Sequence, residues 1–180
     1  LNFPKKERER IHRATRPLRE TDMPIRWVPV DQFHLTLKFL GEVRRERIEE
    51  LGEAISRVTA TTKAFATKFG GCGAFPSVRQ PRVIWLGLGA NPELRCLKQD
   101  LEYSFGDVGF EAETRAFHPH ITLGRADDRA GAGAFRGLDE ALATLECAGE
   151  VRVQNVDLMM SQVSPQGSKY TVLSSARLAL

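Results

Sequence analysis

The chain has 180 residues, of which 42% are hydrophobic and 27% are charged. These proportions are typical of a globular protein and exclude a disordered, collagen-like or disulfide-framed chain, so we expect a single domain over residues 1–180. The formal net charge of +3 permits a phosphate-bearing partner but does not require one. No apolar run reaches the roughly 20 residues of a membrane span, and no signal peptide is evident.

The three cysteines, Cys72, Cys96 and Cys147, lie far apart and have no metal-ligand spacing. We expect three reduced, mostly buried thiols in a reducing compartment, and hence a cytoplasmic protein. Cys72 lies between two glycines, and we interpret it as a packing residue rather than a nucleophile.

The first half of the chain alternates between predicted helices and strands. A basic helix is expected over 5–20, with Pro4 at its first position and a kink or an end at Pro17. Alternating polar and apolar residues over 33–40 predict a half-buried strand. The other predicted elements are an extended piece over 26–29, a helix over 44–59, a strand over 65–69, a glycine-rich turn over 70–76, a strand over 82–87, and a helix to about Phe105 with Asn91 as its cap.

The second half repeats this plan. It predicts a strand over 117–123, a helix over 134–147, a strand over 151–163, a turn over 164–168 and a last strand over 169–180. Residues 151–180 therefore form a predicted hairpin. Because of this hairpin and the short connections, we predict an α+β fold with antiparallel pairing and two similar halves.

Two tetrapeptides, His34-Leu35-Thr36-Leu37 and His120-Ile121-Thr122-Leu123, have the same His-x-Thr-Leu pattern. Chance predicts about 0.24 His-x-Thr matches from the histidine and threonine content, and two are present. In a strand, residues two positions apart lie on the same face. The histidine and threonine of each motif therefore share one face, and the leucine or isoleucine between them packs into the core on the opposite face. If the two halves pack symmetrically, both faces line one groove.

Such a groove would hold two imidazoles and two hydroxyls. Imidazole, with an unperturbed pKa near ~6.5, is the side chain that exchanges protons near neutrality. In an in-line displacement at phosphorus, one imidazole takes a proton from the attacking water and the other gives a proton to the departing oxygen. Thr36, Thr122 and Arg125 would hold the phosphate oxygens. On an ideal strand Arg125 points away from His120, so we predict an irregularity near Gly124 that turns the guanidinium toward the cleft.

Other interpretations of these residues remain open. A single His-x-Thr on a strand is usually a surface polar pair. His118 and His120 have a spacing that zinc accepts, although no further ligand cluster is evident, and we therefore expect no metal.

Five stretches of the chain resemble the 2H phosphoesterase superfamily, and within it the RNA 2′,3′-cyclic phosphodiesterases, also called the 2′-5′ RNA ligase family. Family members usually begin with a short apolar strand that ends near the equivalent of Leu1-Asn2-Phe3-Pro4, and this sequence starts at the last residues of such a strand. The resemblance covers essentially the whole chain and rests on residues 26–29 with 33–43, 73–76, 81–85, 117–125, and 158–161 with Tyr170.

The resemblance implies a bilobal fold with antiparallel sheets lining a central cleft and helices outside. It also implies hydrolysis of RNA 2′,3′-cyclic phosphate ends to 2′-phosphates without a cofactor or metal. His34 would be the proton donor and His120 the proton acceptor, an assignment that rests on the resemblance alone. The expected partner is RNA with a cyclic phosphate end or a small cyclic-phosphate nucleotide, and we expect a monomer. Lys38, Arg79 and Arg82 would contact only further phosphates of a longer RNA.

Two other functions remain open at this point. The same histidines could catalyse the reverse reaction, a 2′-5′ ligation of a cyclic phosphate with a 5′-hydroxyl. A non-catalytic RNA-binding module is the other alternative, although two intact motifs argue against it.

Overall fold

The computed structural model describes residues 1–164 and 167–180, so Pro165 and Gln166 of the predicted turn lie outside the described residues. Short 3₁₀ turns occupy Val30–Gln32 and Arg45–Arg47. The helices are α1 (Lys5–Ala14), α2 (Arg16–Arg19), α3 (Ile48–Thr61), α4 (Pro92–Gly106) and α5 (Leu138–Ala143). The strands are β1 (Ile25–Trp27), β2 (Phe65–Pro76), β3 (Pro81–Leu88), β4 (His120–Ala126), β5 (Gly149–Val153), β6 (Asn155–Ser164) and β7 (Gly167–Arg177).

The strands of the described chain form two antiparallel sheets of unequal size. The larger has the order β1-β4-β3-β2-β5, and the smaller is the β6–β7 hairpin. Helix α3 packs against α4 and against the hairpin. The α+β prediction and the terminal hairpin are therefore confirmed.

Local sequence signals account for several element boundaries. Asn91 caps α4, because its side-chain oxygen accepts a hydrogen bond from the backbone N–H of Leu94 at 2.7 Å. The basic amino-terminal helix breaks at Thr15, where Pro17 opens α2, as predicted. On α3, Leu51, Ile55 and Val58 recur at three- and four-residue steps, and all three are buried.

The prediction of a regular strand over 33–40 is wrong. Only His34 and Leu35 form β-bridges, and the chain leaves the sheet after them. The alternation of burial therefore stops: the Lys38 side chain is buried against helix α4, whereas Phe39 is 79% exposed. An alternating sequence gives a strand only where a neighbouring edge is present to pair with it.

Four further boundaries also differ from prediction. The strand predicted over 151–163 is two strands in different sheets, separated at Gln154. The helix predicted over 134–147 shortens to α5, because Gly133 and Gly137 take left-handed backbone angles before it. The strand predicted over 117–123 begins at His120, after Pro119. The glycine-rich turn over 70–76 is the continuation of β2, with a register shift between Phe69 and Cys72.

Gly124 on β4 pairs with Trp27 on the neighbouring strand β1. A Cβ atom at this position would be 2.7 Å from Ile25 Cγ2 and 2.8 Å from Trp27 Cε3. Glycine therefore lets the Trp27 ring pack directly on the β4 backbone.

We expect Gly124→Ala to lower the free energy of unfolding by about 1–3 kcal/mol, because the added methyl group forces β1 away from β4. Urea denaturation monitored by circular dichroism measures the change. Gly131→Ala is the matched control, since a Cβ there meets no atom within 4 Å. Equal stability of the two variants would contradict the close approach of β1.

Candidate active site

The two His-x-Thr motifs are adjacent in the structure. Leu35 and Ile121, the central residues of the motifs, form an antiparallel β-bridge, and both are buried. This register places His34 across from Thr122, and Thr36 across from His120. Each histidine therefore lies beside the threonine of the other motif, and the two histidines are diagonal neighbours across the bridge.

The polar faces of both motifs open into one cleft of about 500 Å³. His34, Thr36, His120, Thr122 and Arg125, which are all the predicted site residues, line it together. The sequence prediction that both motifs share one groove is therefore confirmed. The remaining lining comes mainly from residues 26–32 and from the turn end of the β6–β7 hairpin.

Each histidine is oriented by a backbone carbonyl two residues before it. The Nδ1 atom of His34 is 2.8 Å from the carbonyl oxygen of Gln32, and the Nδ1 atom of His120 is 2.6 Å from that of His118. A carbonyl oxygen only accepts hydrogen bonds, so each Nδ1 carries a proton and donates it. Nε2 is thus the nitrogen that remains for acid–base chemistry on both rings.

The surroundings of His34 disfavour its charged form. The ring lies 4.4 Å from the ring of Tyr170, measured between centroids. Burial lowers the pKa of His34, and the positive charges of Arg125 and His120 lower it further, against the opposing effect of the Gln32 carbonyl. Neutral imidazole is therefore favoured at this position unless an anion lies beside it.

His120 lies against an aromatic wall that the sequence reasoning missed. Its ring centroid is 5.2 Å from that of Phe75 in an edge-on arrangement and 6.5 Å from that of Trp85. Its cross-strand neighbour on β3 is Gly87, which has no side chain to displace the imidazole. The wall holds the ring and leaves Nε2 as its polar edge toward the cleft.

Arg125 reaches the cleft because of a bulge in β4. Ile84 pairs with Gly124 and Trp85 pairs with Thr122, so Leu123 is an extra residue between these two pairs. Leu123 and Gly124 are consequently both buried, and Arg125 returns to the face of Thr122. The predicted irregularity near Gly124 is confirmed.

Gln32 and Tyr170 are two further site residues that sequence reasoning did not assign. The side-chain oxygen of Gln32 accepts a hydrogen bond of 2.8 Å from the backbone N–H of Tyr170. Gln32 thus joins the loop before His34 to the hairpin wall of the cleft. The family resemblance included Tyr170, but nothing in the local pattern indicated its contact with His34.

Lys38 does not face the cleft, which corrects its predicted contact with RNA. Its ammonium forms an ion pair with Glu102 and donates a 2.6 Å hydrogen bond to the carbonyl of Glu111, and its side chain is only 6% exposed. Lys98 forms a second ion pair with Glu102, at 2.6 Å. Lys38 therefore ties the segment after Thr36 to helix α4.

The predicted burial of the cysteines holds for Cys147 but not for Cys96. All three thiols are free, and Cys96 is exposed. Burial raises the pKa of the Cys72 thiol to about 12, so this residue stays protonated near neutrality, as a packing residue does.

A metal-binding cluster and a membrane-spanning helix are both absent from the described residues. No group of three or more His, Cys, Asp or Glu side chains is arranged to hold a metal ion. No helix in this part of the chain combines the length and apolar character needed to cross a bilayer.

Comparison with known proteins places this fold and cleft among the phosphoesterases. The family model described as LigT like Phosphoesterase matches residues 1–85 and 88–170. An RNA 2′,3′-cyclic phosphodiesterase of Aeropyrum pernix is 32% identical over 171 residues, covering 94% of this chain and 96% of that protein. The chain therefore belongs to the LigT-like phosphoesterase family and is an enzyme of that class.

Solved structures agree with this assignment. TT0787 of Thermus thermophilus superposes with a TM-score of 0.80 at 26% identity, covering 98% of this chain and 93% of that one. E. coli LigT complexed with 3′-AMP superposes with a TM-score of 0.75 at 27% identity, covering 100% and 95%.

We expect His34 in the ligand-free protein to titrate below the ordinary imidazole pKa of about 6.5. Tyr170→Ala should raise this pKa toward 6.5, because removing the neighbouring ring admits water to the imidazole. NMR titration of the His34 ring protons measures both values. A pKa at or above 6.5 in the unsubstituted protein would contradict this account.

Proposed function

We propose that the protein hydrolyses the 2′,3′-cyclic phosphate ends of RNA to 2′-phosphates. The observation that carries the proposal is the cross-paired arrangement of two His-x-Thr motifs, with Arg125, around one cleft. The name of the Aeropyrum pernix relative and the 3′-AMP bound to E. coli LigT support a nucleotide substrate.

In the proposed reaction, water attacks phosphorus on the side opposite O3′. Nε2 of His120 accepts a proton from the water as the new P–O bond forms. Nε2 of His34 donates a proton to O3′ as the P–O3′ bond breaks, which leaves a 3′-hydroxyl and a 2′-phosphate. The diagonal placement of the histidines suits this in-line geometry, whereas the choice of His34 as the donor rests on the family resemblance.

Thr36, Thr122 and Arg125 are proposed to bind the phosphate. The hydroxyls donate to its non-bridging oxygens, and the planar guanidinium donates two parallel hydrogen bonds. Since charge accumulates on these oxygens as water adds, donors fixed in advance stabilise the transition state.

The negative charge of the bound phosphate also favours the uptake of a proton by His34 from solvent. Burial disfavours imidazolium at this position, but a phosphate monoanion beside the ring attracts positive charge and raises its pKa. The acid is therefore charged mainly when substrate is present. The pH dependence of the rate should be bell-shaped, because one imidazole must be charged and the other neutral.

The proposal extends to the setting of the enzyme. We infer one domain over residues 1–180 that acts as a monomer without metal or cofactor. Free thiols suit a reducing compartment, which supports a cytoplasmic location. The 2′-5′ ligation of RNA uses the same groups in reverse, and small cyclic-phosphate nucleotides offer the same reacting atoms.

We expect His34→Ala and His120→Ala each to lower turnover by roughly 10²–10⁴, the usual contribution of a positioned acid or base. The assay is hydrolysis of a short RNA with a 2′,3′-cyclic phosphate, with the end group resolved so that ligation is also detected. Circular dichroism should report unchanged folding, since both side chains border the open cleft. Turnover close to wild type in either folded variant would rule out the two-histidine mechanism.

We expect turnover to survive EDTA, because the proposed chemistry needs only imidazoles and fixed donors. His118→Ala should likewise retain activity, since it is the backbone carbonyl of His118, not its ring, that orients His120. Loss of activity with EDTA, restored by zinc, would instead assign His118 and His120 as metal ligands.

A further inference from the structure

The positive charge of the chain is concentrated at its amino end. Residues 5–20 contain seven Lys or Arg and three Glu, a net charge of +4 against +3 for the whole chain. The rest of the protein is therefore slightly acidic. Helices α1 and α2 cover most of this segment.

Helix α1 is attached to the rim of the catalytic cleft. Arg8 donates a hydrogen bond to the backbone carbonyl of Asp31, a residue that lines the cleft. One turn further on, the ring of His12 lies 6.4 Å from the ring of Phe33, next to His34 in the chain. Lys5 is on the same helical face as these two residues, three positions before Arg8.

Four cations of this segment are exposed: Lys5, Lys6, Arg13 and Arg16. Two of them pair with acidic residues on their own helix or at its end, Lys5 with Glu9 at 3.8 Å and Arg16 with Glu20 at 2.6 Å. The Lys5 and Arg16 side chains are 83% and 73% exposed, and exposed pairs of this kind contribute little. A phosphate can therefore replace these carboxylates at low cost.

We propose that these four side chains, which we term the α1 basic surface, bind the RNA phosphates on the 5′ side of the reacting nucleotide. The inference rests on the proposed function: a cyclic phosphate occupies the 3′ end, so the rest of the strand must leave the cleft over its rim. At the 30–32 segment that strand meets α1, whose length of about 15 Å offers several backbone contacts. A basic helix beside the exit complements the polyanion.

The test combines two variants of equal charge. One replaces Lys5, Lys6, Arg13 and Arg16 with Gln. The control replaces four exposed arginines on or just before α3 and α4 with Gln: Arg44, Arg45, Arg57 and Arg95. The probes are a fluorescent 10-nucleotide RNA ending in a 2′-phosphate, for binding, and 2′,3′-cyclic AMP, for turnover.

At 0.1 M salt we expect the α1 variant to bind the RNA at least about tenfold more weakly. For this variant, the slope of log affinity against log salt concentration should become less negative by roughly 0.7 for each phosphate that is no longer neutralised. The control variant should bind as the unsubstituted protein does, and both should hydrolyse 2′,3′-cyclic AMP normally.

Unchanged RNA affinity in the α1 variant, or an equal loss of affinity in the control, would contradict the proposal that the α1 basic surface binds RNA. A failure of the proposed function is separate from this result. In that case the unsubstituted protein would hydrolyse neither 2′,3′-cyclic AMP nor RNA with a cyclic phosphate end. The RNA affinities of the two variants would still show whether the α1 basic surface binds RNA.

Discussion

The bridge between Leu35 and Ile121 is the constraint on which the site depends. Both side chains are buried, and each contributes about 1.5–3 kcal/mol relative to exposure. Because side chains alternate along paired strands, burying these two turns His34, Thr36, His120 and Thr122 toward the cleft. A slip of one residue would bury the imidazoles instead, so hydrophobic burial fixes the register that the chemistry requires.

The first motif, His34-Leu35-Thr36-Leu37, is fixed by contacts of the residues before it and after it. Before it, Gln32 bonds to His34 through its carbonyl and to the hairpin through its side chain. After it, Lys38 lies between Glu102 of α4 and the carbonyl of Glu111, in the loop that leads to the second motif. The short segment that is not a regular strand is thus fixed by contacts outside any ladder. A buried lysine needs these partners, because an unpaired charge there would be costly.

The sequence predicted what depends on local periodicity. The His-Thr faces, the cap at Asn91, the break before Pro17 and the bulge near Gly124 all follow from residue type and spacing. The contacts of Gln32 and Tyr170 did not follow, because they join residues 138 positions apart through a backbone N–H. The pattern over 33–40 failed for a related reason: alternation indicates which face is apolar but not whether a neighbouring strand is available, and none is after Leu35 in the described structure.

The charged side chains at and beside the cleft form two groups, one lining the cleft and one on helix α1. Arg125 and the two imidazoles line the cleft, where burial lowers the pKa of His34 and the positive charges of Arg125 and His120 lower it further. The cations of α1 lie at the surface, where each contact is weak and sensitive to salt. In the two proposals, the cleft binds the terminal phosphate and the exposed cations of α1 contact the backbone of an RNA of any sequence. The two groups of charges are held next to each other because the hydrogen bond from Arg8 to the carbonyl of Asp31 joins helix α1 to the rim of the cleft.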